Sequence, residues 1–460
     1  MSNQLFPLNR NAFYERSMVY LPPNNNVVVL GKIKGSFSAS ELEEAVKKLQ
    51  QKHPLMNAHV EIREDGSSWF VAKALATIPI KKIARTSEDS WKDIISDEYN
   101  NPFNIMETPL IRILWLYQED VSDIILFCHH IICDGRSLTG VLHDLVNFLG
   151  NKVPVDTIEQ VPSIDQIFPL EQVKLSRITR LISSKLCKSW LRAGIKASPR
   201  DFEQIQRDFT SKRVKFYTWS IDPELTTRII DRCHEENVSV NSCLFAALLS
   251  VHQGSQGDAH SPKQSAMAMD LRRYCDPPVG SGLGFYVALE IFKYRVNLRV
   301  PFARRVADLH KYLSKKLTPN HMFQRVKLNQ MLGANYLDNR NLLIYGLQME
   351  NPPQIFHKMM AEMKKSTILS MFLKKNVKET KKSLYGASIT NLGNIPLNAR
   401  YGNLILQKVI FCPPPTPQVE TTIGVSSFSG TIQHSIVSNE TDEKKIQDFI
   451  ERYLAQLRQF

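Results

Sequence analysis

Apolar and polar positions divide this chain into short strand-like and helix-like stretches. Residues 40–52, SELEEAVKKLQQK, read as a helix, with Ser40 as N-cap and Glu43 completing a capping box three residues later. HPLMNAHVEI then leads into a strand, and SSWFVAKA, 67–74, alternates as a second one. SEDSWKDIISDEYN is another helix, starting near Ser87 and Glu88. PLIRILWLYQ and SDIILFCHHIIC are apolar runs of strand length, and the short EDVS between them predicts a hairpin. Beyond Asp134-Gly135, Leu138, Val141, Leu142, Leu145 and Leu149 recur at helical spacing, with Gly150 placed to cap the end.

Residues 151 to about 215 begin as a proline-containing connection and turn basic. KLSRITRLISSKLCKSWLRAGIK predicts a helix with Lys185, Lys188, Arg192, Lys196 and Arg200 clustered on one side. Leu186 and Trp190 lie opposite, but Leu181 and Ile195 spoil a clean division. A membrane-surface helix and a lobe-connecting helix with a solvated face both fit, and the second is preferred. The second half repeats the same kinds of element. FYTWSI is a strand, Asp222 and Pro223 start a helix, and SVNSCLFAALLSVHQ is a buried helix. QSAMAMDLRRY, LGFYVALEIFKY, SLYGASITNLG and LILQKVIFC read as strands, with a lysine-rich helical region before the last two. TTIGVSSFSGTIQHSIVS reads as a hairpin turning near Ser429-Gly430. A final helix after Thr441 carries Ile446, Phe449, Ile450, Tyr453, Leu454 and Leu457 as its apolar stripe.

Composition narrows the class. At 460 residues the chain exceeds what one core usually serves. The expected organisation is an N-terminal lobe over 1–165, a connecting basic helical segment over 166–214 and a C-terminal lobe over 215–460. With 43% hydrophobic and 22% charged residues it is an ordinary globular composition. No run approaches the roughly twenty apolar residues of a membrane span, and the opening twenty residues have no signal-peptide core. A cytoplasmic location is therefore expected. Seven scattered cysteines suggest reduced thiols rather than a disulfide framework. The net charge of +13 either attracts anionic partners or serves solubility. It is unevenly spread: 172–200 holds eight Lys or Arg and no Asp or Glu, and 357–384 holds eight Lys against Glu362 and Glu379. The basic runs lack interleaved aromatics and any nucleic-acid recognition motif, so nucleic acid is not an expected partner. No phosphate loop and no strand-linked GxGxxG is present.

The stretch richest in chemistry is ILFCHHIICDGRSLTG, 125–140. In a strand His129 and His130 point to opposite faces, so only one can face a cleft. Gly135 would permit a positive φ in the turn after Asp134. A strand, tight turn and helix would hold an imidazole rigidly, which suits a general base. Three readings compete: histidines satisfied by backbone at a strand end, a metal site of Cys128, His129, His130 and Cys133, and catalysis. Strand alternation splits the metal ligands between faces, and their spacing matches no common zinc pattern. Chance places roughly one HxxxD in such a chain, against roughly a thousandth for HHxxxDG.

HHIICDG resembles the HHxxxDG motif of the chloramphenicol acetyltransferase-like superfamily, which includes condensation domains, polyketide-associated acyltransferases and alcohol acetyltransferases. LQQKHPLMNAHV is similar to the RHExLR segment of condensation domains, with Asn57 where those carry arginine. PLNRNAFYERS is similar to their opening motif. MDLRRY with GSGLGFYV, and SITNLGNI, resemble second-lobe segments of the polyketide-associated enzymes. Plant BAHD acyltransferases share the shorter HxxxD, but their DFGWG motif is absent here. The resemblance implies an α/β (α+β) fold of two chloramphenicol acetyltransferase-like lobes, each a mixed sheet flanked by helices, with an active-site tunnel between them.

It further implies that His130 is a catalytic general base with His129 packed behind it. Asp134 would be structural, paired with an arginine that braces the turn, for which Arg272 is the candidate. Gly135 would shape the turn. The reaction implied is acyl transfer from a thioester to a hydroxyl, giving an ester; amide formation and a non-catalytic scaffold are the alternatives. Ser388, Thr390 and Asn391 are candidate oxyanion donors, or simply a strand-end turn. No bound cofactor and no metal is expected. The donor would be acyl-coenzyme A or an acyl group on the phosphopantetheine of an acidic acyl-carrier protein, steered by the basic 172–200 or 357–384 segment. The acceptor would be an alcohol or amine, and the two-lobe reading predicts a monomer.

Overall fold

The computed structural model describes residues 8–20, 25–99, 101–107, 109–210, 214–255, 264–380, 385–414, 419–438 and 442–460. The opening residues 1–7, Lys381 and Lys382 of the second basic run, and Thr441 lie outside these.

The strands are β1 Leu8–Asn11, β2 Asn26–Lys34, β3 His59–Ile62, β4 Ser68–Ala72, β5 Ile80–Ala84, β6 Ile111–Tyr117, β7 Val121–His129, β8 Lys215–Ile221, β9 Gln264–Asp270, β10 Val287–Phe292, β11 Tyr385–Asn394, β12 Arg400–Tyr401, β13 Leu404–Cys412, β14 Val419–Phe428 and β15 Thr431–Ser438. The helices are α1 Arg16–Val19, α2 Ala39–Lys52, α3 Trp91–Glu98, α4 Gly135–Gly150, α5 Ile164–Ile167, α6 Arg177–Ala193, α7 Pro199–Thr210, α8 Pro223–Glu235, α9 Val240–Gly254, α10 Phe302–Lys316, α11 Pro319–Gly346, α12 Gln354–Lys364, α13 Thr367–Thr380 and α14 Glu443–Arg458.

These elements build two mixed six-stranded sheets flanked by helices. The first has the order β12-β13-β2-β7-β6-β5 and the second β10-β9-β11-β14-β15-β8. β1, β4 and β3 form a small third sheet. In the first sheet only the β5–β6 pairing is parallel; in the second, β11 runs parallel to both β14 and β9. The predicted hairpin of β6 and β7 forms, pairing Ile111 with Cys128 and Tyr117 with Ser122. The turn at Ser429-Gly430 has φ of 50° and 75° at its two central residues, the left-handed pair that a two-residue hairpin favours.

Residues 400–412, within the 215–460 stretch, add two strands to the first sheet, with β13 lying antiparallel to β2. β13 also ties the sheets together: Ser426 Oγ donates to the Val409 carbonyl at 3.3 Å and Ser435 Oγ to the Phe411 carbonyl at 2.6 Å. Three local expectations change. The cap of α2 is Ser38 with Glu41, a capping box two residues upstream of the Ser40–Glu43 pair. Ser38 takes the extended backbone an N-cap needs, while Ser40 is already helical. Gly150 is the last residue of α4 rather than its cap; a Cβ there would sit 2.7 Å from the Tyr401 carbonyl carbon. Gly135 opens α4 without the positive φ expected of it.

Candidate active site

β7 carries its apolar run into the centre of the first sheet and ends at His129. His130 follows, its backbone N–H held by the Asn25 carbonyl at 2.7 Å. The two imidazoles diverge. His129 is buried, edge-on to Phe103, and its Nδ1 accepts the Ile131 N–H at 3.2 Å. His130 lines a cavity of about 310 Å³ between the two sheets. Its Nδ1 lies 2.7 Å from the Cys133 carbonyl. A carbonyl can only accept, so Nδ1 carries the proton and Nε2 presents a lone pair. The neighbours therefore hold opposite tautomers. Burial lowers the His130 pKa, against the opposing pull of the Cys133 carbonyl and Asp134. Burial with the adjacent His130 pushes His129 down to about 3. Both are neutral near pH 7.

Asp134 caps α4. Its carboxylate accepts the Ser137 N–H at 2.9 Å and the Tyr286 N–H at 3.0 Å, and receives Arg272 through two nitrogens at 2.9 and 3.0 Å. Burial alone would raise this carboxyl, but Arg272 and the two N–H groups bring it below the usual carboxylate range. Arg272 leaves β9 at the start of a short 3₁₀ turn, also contacts Asp270 at 3.2 Å and lies over the Tyr286 ring. Gly135 does not take a left-handed φ. It is the first residue of α4, and a Cβ there would come within 2.6 Å of Leu392 Cδ2 and 2.7 Å of Phe411 Cε2. Close approach of β11 and β13, not turn conformation, is the reason for glycine.

The structure brings His130, Asp134, Gly135, Arg272, Ser388, Thr390 and Asn391 to one cavity and leaves His129 behind it. Asn391 is already engaged: its Oδ1 accepts the Gly393 N–H at 2.7 Å and its Nδ2 reaches Asn241 at 3.3 Å. Cys128 and Cys133 are buried, and among the described residues no group of three or more His, Cys, Asp or Glu gathers as metal ligands. Asn57, at the position of the condensation-domain arginine, bonds Gln50 and the Ala76 N–H instead.

Several cavity residues were not singled out from sequence. Tyr14 bonds the Val287 carbonyl at 2.7 Å, and Phe285 stands edge-on to His130 with ring centres 5.0 Å apart. Both lie in quoted segments, FYERS and GFYV, yet nothing local marked the ring itself. Leu337, Arg340, Asn341 and Tyr345 form one stripe of α11 on the cavity. α11 is broken at Gly333, with φ of 78°, which interrupts any helical period.

Comparison with known proteins bears on the fold that carries this site. Residues 22–157 match the family model of the Condensation domain. The chain is 20% identical over 323 residues to nonribosomal peptide synthetase kk1B of Curvularia clavata, covering 68% of this chain and 2% of that protein. It thus spans a small fraction of that relative. Polyketide synthase associated protein 5 from Mycobacterium tuberculosis is similar in structure, with a TM-score of 0.59, 14% identity and 98% of each chain covered. TRI3 trichothecene 15-O-acetyltransferase from Fusarium sporotrichioides has a TM-score of 0.63 at 10% identity, covering 100% of this chain and 98% of the other. The chain thus shares the two-lobe fold of these solved structures, and its residues 22–157 match the Condensation-domain family model.

Proposed function

We propose that the protein is an acyltransferase that moves an acyl group from a thioester, on coenzyme A or a carrier protein, to a hydroxyl acceptor, with His130 as general base. The observation that carries this reading is the His130 tautomer. Nδ1–H is tied to the Cys133 carbonyl, leaving the Nε2 lone pair for the cavity. As the acceptor oxygen attacks the thioester carbon, its proton passes to Nε2. A tetrahedral oxyanion forms, then collapses; the C–S bond breaks and the departing thiolate takes the proton from Nε2. No acyl-enzyme is required. General base catalysis contributes on the order of 10²–10⁴ in rate, and holding both substrates in one cavity adds to it.

The Ser388 and Thr390 hydroxyls are better oxyanion donors than Asn391, whose amide is held by Asn241 and Gly393. Asp134 and Arg272 act through position, fixing the turn that carries His130. The O-acetyltransferase among the structural relatives supports a hydroxyl acceptor. The Condensation-domain match supports an amine as the second reading.

The test is thiol release from a panel of acyl-coenzyme A and acyl-carrier donors with small alcohols and amines, comparing wild type with His130→Ala. Acceptor-dependent release that disappears in the variant is expected. Release that survives the substitution removes His130 from its role.

A further inference from the structure

α6 is amphipathic in an unusual sense. Its inward side is conventional: Ser183, Leu186 and Trp190 are buried, Trp190 stands edge-on to Phe372 of α13, and Cys187 Sγ contacts the Leu332 carbonyl at the break in α11. Its outward side is not the solvated face that a connecting helix would show. Ile178 is 71% exposed, Leu181 57% and Ile182 52%. Spaced three and four apart, these three side chains form one crest, and Lys185 continues it by a turn. Leu191 is 63% exposed further along. On neighbouring α13, Met371 is 67% exposed beside the exposed Lys374 and Lys375.

The charge on α6 itself has one sign. Arg177, Lys185, Lys188 and Arg192 are exposed, none of them makes an ion pair among the described residues, and no Asp or Glu occurs from 172 to 200. Lone exposed leucines are common, but a contiguous branched-aliphatic crest on a helix whose own charges are all positive asks for a partner that is apolar inside and negative at its rim. A second copy of this chain would bring positive face to positive face. An acidic protein would answer the cations but set its carboxylates against the isoleucines. A bilayer rich in acidic lipid meets both demands at once: the crest enters the boundary between headgroups and acyl chains while long basic side chains reach out to the headgroups. Among the described residues no helix is long and apolar enough to cross a membrane, so the contact is peripheral.

We propose that α6 lies flat on the surface of an anionic lipid bilayer, with Ile178, Leu181 and Ile182 inserted and Arg177, Lys185, Lys188 and Arg192 against the lipid headgroups. The inference is independent of the acyl-transfer reading, because none of these residues lines the cavity.

The experiment is co-sedimentation of the full chain with phosphatidylcholine vesicles, with and without phosphatidylserine. Binding is expected with phosphatidylserine, at least tenfold weaker without it, and weakened by salt. A Leu181→Asn/Ile182→Asn double variant and a Lys185→Glu/Lys188→Glu/Arg192→Glu triple variant, each with an unchanged thermal midpoint, should each lose at least tenfold in affinity. As a second readout, Ile182→Trp should show a blue shift of its emission on adding anionic vesicles. Wild-type protein that stays in the supernatant with phosphatidylserine vesicles overturns the proposal. So does a double variant that binds as wild type, or a tryptophan at 182 whose emission does not move. Binding to an acidic acyl-carrier protein that depends on these cations, with no binding to vesicles, would assign the face to protein docking instead.

Discussion

Arg272 and Asp134 are joined by two parallel nitrogen–oxygen contacts of 2.9 and 3.0 Å, across 138 residues of sequence. The pair links the N-terminus of α4, which follows the first sheet's central strand, to the end of β9 in the second sheet. Both partners are largely buried, so each neutralises a charge that the interior could not otherwise hold. Replacing Arg272 by alanine leaves Asp134 buried without its cation. A loss of about 3–5 kcal/mol in urea unfolding is expected. Arg272→Lys should recover part of it, since lysine supplies the charge but not the paired geometry.

His130→Ala should reduce acceptor-dependent thiol release by about 10²–10⁴ while the urea midpoint changes little, because the half-buried imidazole bonds only at the cavity wall. A large fall in stability alongside the lost activity would point to a structural histidine.

Gly135→Ala is expected to destabilise by about 1–3 kcal/mol, the usual range for forcing a methyl into a packed site. The new Cβ would press on Leu392 and on the Phe411 ring, at 2.6 and 2.7 Å. Unfolding midpoints equal to wild type would show that β11 and β13 yield freely at this point.

Two pH effects follow from buried histidines. The His130 pKa is lowered, so this imidazole stays neutral to a lower pH than a free one. The acid limb of kcat/KM should therefore fall below the usual value of about 6.5. Burial pushes His434 down to about 3, stacked on Trp219 and bonded to the Tyr453 hydroxyl. Between about pH 6.5 and 3 the unfolded chain takes up this proton and the folded chain does not. Its stability contribution is complete above pH 6.5 and is lost on acidification, at about 1.4 kcal/mol per pH unit. Urea midpoints from pH 7 to 5 should fall less steeply in His434→Phe than in wild type.

Much of this fold is legible in sequence where the signal is local. The β6–β7 hairpin, α4, α8 with its Asp222–Pro223 start and the stripe of α14 each announce themselves by period or cap. The start of α2 is displaced by two residues because Ser38–Glu41 and Ser40–Glu43 satisfy the same spacing rule, and only the backbone distinguishes them. α11 has no such signal: it is packed along much of its length and broken at Gly333, so no single apolar stripe runs through it. At the site, two rare histidines, an aspartate and a glycine in fixed order made HHIICDG visible. Tyr14, Phe285 and Arg340 reach the cavity from three distant parts of the chain, and no spacing within one segment could show that.

The pairing of β13 with β2 has a consequence for synthesis. The first sheet's strands β2, β5, β6 and β7 leave the ribosome early, yet β2 presents an unpaired edge until residues 404–412 emerge, some 370 residues later. Val27, Val29 and Ile33 keep that edge apolar as well as open. The first half of the nascent chain must therefore wait, incomplete, through most of translation. A ribosome stalled before residue 404 would display a sticky strand rather than a finished lobe, and the protein's need for chaperones should be concentrated in that interval.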